Sequence, residues 1–145
     1  MSLGSGSFLD VNTGKDIHAS MKGLVPLVGW RMGSDLVYLA EGAYHDTSSV
    51  ILWAQSLGLF EKPSQSSAIA ELSPDTELFF IPGFGGLQAP INDPNATAGF
   101  IGLTPASSKN EMLRAILESI AFGMNQLLDV MILESPHCLA SDNIM

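Results

Sequence analysis

The chain has 145 residues, a net charge of −9 and only six lysines and arginines, so it lacks the clustered cations that nucleic-acid phosphates require. Hydrophobic residues make up 46% and charged ones 14%, a surface so thin in charge that missing neighbours are expected around it. Cys138 is the only cysteine, which excludes an internal disulfide and a thiol–metal cluster and fits a reducing, cytoplasmic setting.

The first ten residues have neither the basic nor the apolar region of a signal peptide. Gly4-Ser5-Gly6-Ser7 leads into a strand-like run, Phe8 to Val11, and Asn12-Thr13-Gly14 has turn chemistry. A glycine-rich turn beside a strand can aim several backbone amides at one anion, although most such turns bind nothing. Two short strands are predicted at 25–32 and 36–40, joined by Gly33-Ser34-Asp35. Asp46 or Thr47 caps a helix whose apolar face carries Val50, Ile51, Trp53, Ala54 and Leu57, with Gly58 at its end. A surface excursion with a short helix at 66–72 follows. Leu78 to Ile81 then reads as a strand covered on both faces, because it holds no polar residue.

The loop at 82–90 is built from glycine and proline, which suits a rigid turn. Residues 100–103 read as a short apolar strand. Ser108 followed by Glu111 is a capping box that starts a helix near Lys109. Met112, Leu113, Ile116, Leu117, Ile120, Ala121, Met124, Leu127, Leu128 and Met131 recur at spacings of three and four, giving one buried stripe. No run of about 18 uninterrupted apolar residues marks a membrane span. Residues 132–145 show no periodicity and read as a divergent, disordered tail; His137 and Cys138 are adjacent, without metal-ligand spacing.

Three blocks, in order, resemble the FGGY carbohydrate kinases, and the glycerol kinase group in particular. They are the turn at 4–8 followed by Glu41-Gly42-Ala43, the loop from Pro82 to Pro90 ending in Asp93-Pro94, and the signature from Ala98 through Gly102-Leu103 to Glu111-Met112 and Ala115-Ile116-Leu117-Glu118. Tyr44-His45-Asp46 and Trp53-Ala54-Gln55 are similar to the divergent branch called glycerol kinase five.

The resemblance spans residues 1–131 and implies part of the C-terminal domain of an α/β, actin-like ATPase (ribonuclease H-like) fold, without its last strands and helices. It implies ATP and Mg²⁺ as cofactors, with Gly4, Ser5 and Gly6 at the nucleotide phosphates and Phe8 against glycerol or a related polyol. The helix positions that line the nucleotide in the family, a glycine and a glutamine, are Ser48 and Leu52 here. A side chain at Ser48 crowds a close backbone approach, and Leu52 cannot hydrogen-bond. Ile91 and Asn92 stand where the family has an aromatic pair.

The resemblance also places the catalytic aspartate upstream of residue 1 and the adenosine-binding loop beyond the matching region. The chain alone is therefore expected to be inactive, to need the N-terminal kinase domain as partner, and to be able to form a homo-oligomer. The alternative is a truncated, non-catalytic product that acts as a protein-interaction module.

Overall fold

The computed structural model describes residues 1–73 and 77–135. Its centre is a helix of 26 residues, α3 (Lys109–Glu134), started by the predicted capping box. The Glu111 amide donates to Ser108 Oγ at 3.2 Å, and the Ser108 amide donates to Glu111 Oε2 at 2.6 Å. Two of the four orphan amides at the helix start are thereby satisfied.

Before α3 the chain forms β1 (Ser2–Leu3), β2 (Ser7–Gly14), β3 (Val25–Met32), β4 (Asp35–Tyr44), α1 (Thr47–Ser56), α2 (Ser66–Glu71), β5 (Phe79–Ile81) and β6 (Gly99–Ile101), with a 3-10 turn at Pro63–Gln65. An antiparallel sheet takes the order β1-β2-β4-β3, and β5 pairs with β6 in a second antiparallel sheet. The β3–β4 hairpin pairs Met32 with Asp35 around Gly33, which sits at φ +61°, as a two-residue hairpin turn demands.

Both sheets pack on α3, each through its own core. Its N-terminal half supplies Leu113, Ala115 and Ile116 to a cluster with Val50 and Ala54 of α1, Phe60, Ala70, Leu78 and Phe80. Trp53 stacks on Phe80 at 5.2 Å between ring centroids, with Phe84 and Phe100 around the pair. The C-terminal half of α3 supplies Met124, Leu127, Val130 and Met131 to a second cluster with Leu9, Val11, Leu24 and Ala40. Close approach there depends on glycine: a Cβ on Gly42 would lie 3.2 Å from a Leu127 methyl, and one on Gly123 would lie 2.9 Å from the Tyr44 ring. Arg114 ties the start of α3 to the end of α2, donating to the Ser73 carbonyl at 2.8 Å and to Glu118 at 2.7 Å.

Several expectations are corrected. Asn12 to Gly14 is not a turn closing a short strand: β2 runs on through Gly14 and absorbs an irregular register there. The strand predicted at 36–40 extends over Asp35–Tyr44, so Glu41-Gly42-Ala43 lies inside it. β5 is not covered on both faces, because Phe80 enters the core while Phe79, on the opposite face, stays 46% exposed against Phe122. On α3, Ile120 and Ala121 border a groove with Met1, Leu3 and Leu9, and Leu117 and Leu128 line the same groove while packing, half-buried, against the two cores. Ala115, Ser119 and Val130 are buried beyond the predicted stripe.

α3 is long and apolar enough, by length and composition, to cross a membrane, although charged and polar residues interrupt its apolar run. Its buried stripe is occupied by the two sheets. It also extends to Glu134 with the buried Ser135 as its cap, so residues 132–135 are ordered against the expectation, and 136–145 lie outside the described residues.

Candidate functional site

The turn between β1 and β2 meets the first turn of α1. The Gly4 amide donates to the Gly6 carbonyl at 2.9 Å, and the Ser48 amide donates to the Ser5 carbonyl at 3.1 Å. One residue on, the Ser7 and Thr47 hydroxyls share a hydrogen bond of 2.6 Å. These contacts bring Gly4, Ser5, Gly6 and Ser48 together although more than forty positions separate the turn from the helix. Gly6 has a steric reason to lack a side chain, since a Cβ would stand 3.1 Å from the Phe8 ring and 3.3 Å from the Tyr44 carbonyl. Leu52 lies one turn further along α1 and is 60% exposed.

Phe8 and Asp10 alternate with the buried Ser7, Leu9 and Val11, so both lie on the face of β2 that turns away from α3. The Phe8 ring meets His45 edge to face at 5.8 Å, and the His45 amide donates to Gln88 Oε1 at 3.2 Å, which draws the loop at 82–90 to the same end of the sheet. Asp10 pairs directly with Glu41 across the strands. Burial, then the Asp10 charge and its hydrogen bond, push the Glu41 carboxyl above the usual carboxylate range, while His45 pulls the other way. Of this face the sequence offers Phe8 as a site residue, and Glu41 and His45 only as parts of motif blocks. The two-residue period of a strand would have added Asp10, whereas Glu41, His45 and Gln88 arrive through pairing and loop contacts that no local pattern encodes.

Behind the turn, a cleft of about 270 Å³ is lined by Tyr44, Phe80, Leu87, Ser119, Phe122 and neighbouring residues. Among the described residues the buried Tyr44 hydroxyl has no hydrogen-bond partner. Burial and then the Asp46 charge push its phenol up to about 12 against the easing effect of Ser119; the Ser119 proton is donated to the Ile116 carbonyl at 2.7 Å.

The turn suits a phosphate in part. The Ser5 and Ser48 hydroxyls make no hydrogen bond within the described residues, and α1 points its positive end at the turn. Against this, the Ser48 amide is committed to Ser5, Asp46 places a carboxylate at the helix start, and Leu52 offers no polar atom. For Mg²⁺, no group of three or more His, Cys, Asp or Glu side chains gathers among the described residues.

The chain is thus an α/β layer in which a glycine-serine turn lies against a helix start. Residues 1–141 match the FGGY family of carbohydrate kinases, C-terminal domain, and the chain belongs to that family. It is 52% identical over 136 residues to glycerol kinase 5 of Danio rerio, covering 93% of this chain and 26% of that protein. It is 46% identical to glycerol kinase 5 of Xenopus laevis, covering 93% of this chain and 28% of that protein. Among solved structures it resembles Plasmodium falciparum glycerol kinase with ADP, with a TM-score of 0.83 at 31% identity over 91% of this chain and 27% of that one. The chain thus spans about a quarter of the length of these curated relatives and carries part of an actin-like ATPase fold, a partial C-terminal domain.

Proposed function

We propose that this chain is the phosphate-contacting part of an ATP- and Mg²⁺-dependent kinase that phosphorylates a hydroxyl of glycerol or a related polyol. The observation that carries the reading is the juxtaposition of Gly4, Ser5 and Gly6 with the start of α1 at Ser48, in a chain of the FGGY family. In this reading the turn contacts the terminal phosphates, Phe8 supplies an apolar wall for the carbon chain of the acceptor, and Ser48 and Leu52 border the nucleotide. Phosphoryl transfer also needs charge neutralisation at the phosphates and a carboxylate to accept the hydroxyl proton. The metal and the base come, in this reading, from the N-terminal kinase domain, as the resemblance to the FGGY kinases implies. The setting proposed for the whole enzyme is cytoplasmic.

Titration of MgATP into the isotope-labelled chain tests the placement. Shifts of the Gly4, Ser5, Gly6 and Ser48 amide signals are expected; shifts confined to other residues overturn it. The isolated chain is expected to make no glycerol 3-phosphate from glycerol and MgATP, and ATP-dependent production of it would refute the assignment of the base to another domain.

A second reading, a non-catalytic interaction module, is favoured by one observation: the groove of about 430 Å³ in which Leu117, Ile120, Ala121 and Leu128 face Leu3 and Leu9. An apolar groove of this kind invites association, including that of a homo-oligomer. Concentration-dependent self-association without MgATP binding supports this reading, and a monomer that binds MgATP rejects it.

A further inference from the structure

We propose that His18 and Glu134 form a clasp that fastens the β2–β3 loop across the C-terminal turn of α3 and releases it in acid. Glu134 is the last residue of α3, and the last turn of that helix contains no basic residue. A carboxylate at this end opposes the helix dipole, so its retention in the ionised form needs compensation from elsewhere. The loop provides it from 116 residues upstream: His18 Nε2 lies 3.0 Å from Glu134 Oε2, and the Met21 amide donates to Oε1 at 3.1 Å. The second ring nitrogen of His18 lies 3.4 Å from Ser135 Oγ, which fixes the imidazole from its other side. Both side chains are largely shielded, at 17% and 14% exposure.

The clasp sits at a junction of three segments. Within the loop, Ser20 Oγ accepts the amides of Lys22 and Leu24 at 3.0 Å each, which folds the segment toward the helix. Leu24 is buried in the same cluster as Leu127 and Met131. The Lys22 carbonyl accepts Asn92 Nδ2 at 3.3 Å, and Gly23, at φ +96°, passes close to Ala89 and Asn92. Closing the clasp therefore holds the β2–β3 loop against both the helix end and the loop at 82–95.

Of the charged groups nearby, Lys15, Asp16 and Lys22 on the loop, Asp129 on the helix and Asp93 on the adjoining loop form no ion pair with Glu134 among the described residues; the side chain that contacts its carboxylate is His18. Burial alone would push the Glu134 carboxyl up, but hydrogen bonds from His18, Ser20 and the Met21 amide outweigh it and hold the carboxyl below its ordinary value. A lowered carboxyl stabilises the closed form fully above the unfolded value of 4.5, and that contribution is lost as pH falls through the folded value.

Amide hydrogen exchange on the full 145-residue chain, corrected for intrinsic pH dependence, tests the clasp, with β4 as internal reference. At pH 7, Glu134→Gln and His18→Ala are each expected to speed exchange of the Met21 amide by about tenfold, the scale of one charge-assisted hydrogen bond, with β4 unchanged. On acidification the wild-type rate is expected to converge on that of Glu134→Gln, which cannot ionise. If His18→Ala also loosens β4, His18→Leu, which keeps the bulk of the side chain without a donor, takes its place against the same expectation. Equal Met21 protection in wild type and variants at pH 7, or parallel pH profiles for wild type and Glu134→Gln, overturns the proposal.

Discussion

The two halves of α3 solve the same burial problem differently. The N-terminal half is enclosed: α1, α2 and the β5–β6 pair surround Leu113, Ala115 and Ile116, and four aromatic rings close over them. The C-terminal half has the four-stranded sheet on one side, and from mid-helix onward Leu117, Ile120, Ala121 and Leu128 remain along an open groove. One amphipathic helix thus carries a finished core and an unfinished one. The finished core is local in sequence, since most of its residues fall between Val50 and Ile116, whereas the other joins Leu9 to Met131. The candidate phosphate turn joins β1 to β2, beside β4, and meets the start of α1.

The strongest way to break this contrast is to remove a fully buried side chain from each half. Ile116→Ala and Leu127→Ala both delete residues with no exposed surface, and each is expected to cost about 2–5 kcal/mol. Leu127→Ala is expected at the lower end, because side chains beside the open groove have room to collapse into the space, while the enclosed rings around Ile116 do not. Urea unfolding of both variants checks the ranking. Equal losses would mean that the C-terminal core is as constrained as the other.

A test of intermediate size probes the junction of the halves. Gly123→Ala places a methyl 2.9 Å from the Tyr44 ring and is expected to cost about 1–3 kcal/mol. Tyr44→Phe, which removes a buried hydroxyl without a partner, is expected to be neutral or stabilising, because the unmade hydrogen bond already counts against the fold. In an alkaline titration followed by tyrosinate absorbance, Tyr44 is expected to ionise only near pH 12. Since the unfolded phenol ionises near 10, stability is expected to fall as pH rises above that value.

Much of the enclosed half was legible in the sequence. Ser108 and Glu111 announced the start of α3, and the three-four spacing announced its apolar stripe, because both signals are local. Replacing Ser108 with alanine should cost about 1 kcal/mol, measurable as a lower melting temperature. The stripe could not say which of its flanks would be covered. Leu117 and Ile120 carry the same periodic signal as Leu113 and Ile116, and only the placement of the sheets separates them. At the turn, Gly4 to Gly6 were visible as a motif, and family resemblance connected them with Ser48. The hydrogen bonds that join them, and the Asp10–Glu41 pair beside Phe8, depend on strand register, which a period of two leaves unspecified until the partner strand is known.

The smallest effect sharpens the comparison most, because it gives the two regions opposite responses to pH. Glu134, at the end of the helix, is held below its ordinary value and favours the fold above 4.5. Glu41, on the open face of β4, is pushed the other way by burial and by Asp10. A carboxyl with a raised folded pKa favours the fold most below its unfolded value of 4.5, and it costs stability as pH rises through the folded value. Glu41→Gln removes one charge from a like-charged cross-strand pair. Discounted for the screening of a partly exposed site, the gain at pH 7 is expected to be a few tenths of a kcal/mol, and it is expected to vanish below pH 4. Melting temperatures of wild type and Glu41→Gln across that range are the check. A gain that persists in acid would mean that the glutamine acts through packing on the Phe8 face, and that the charge of Glu41 does not govern this end of the sheet.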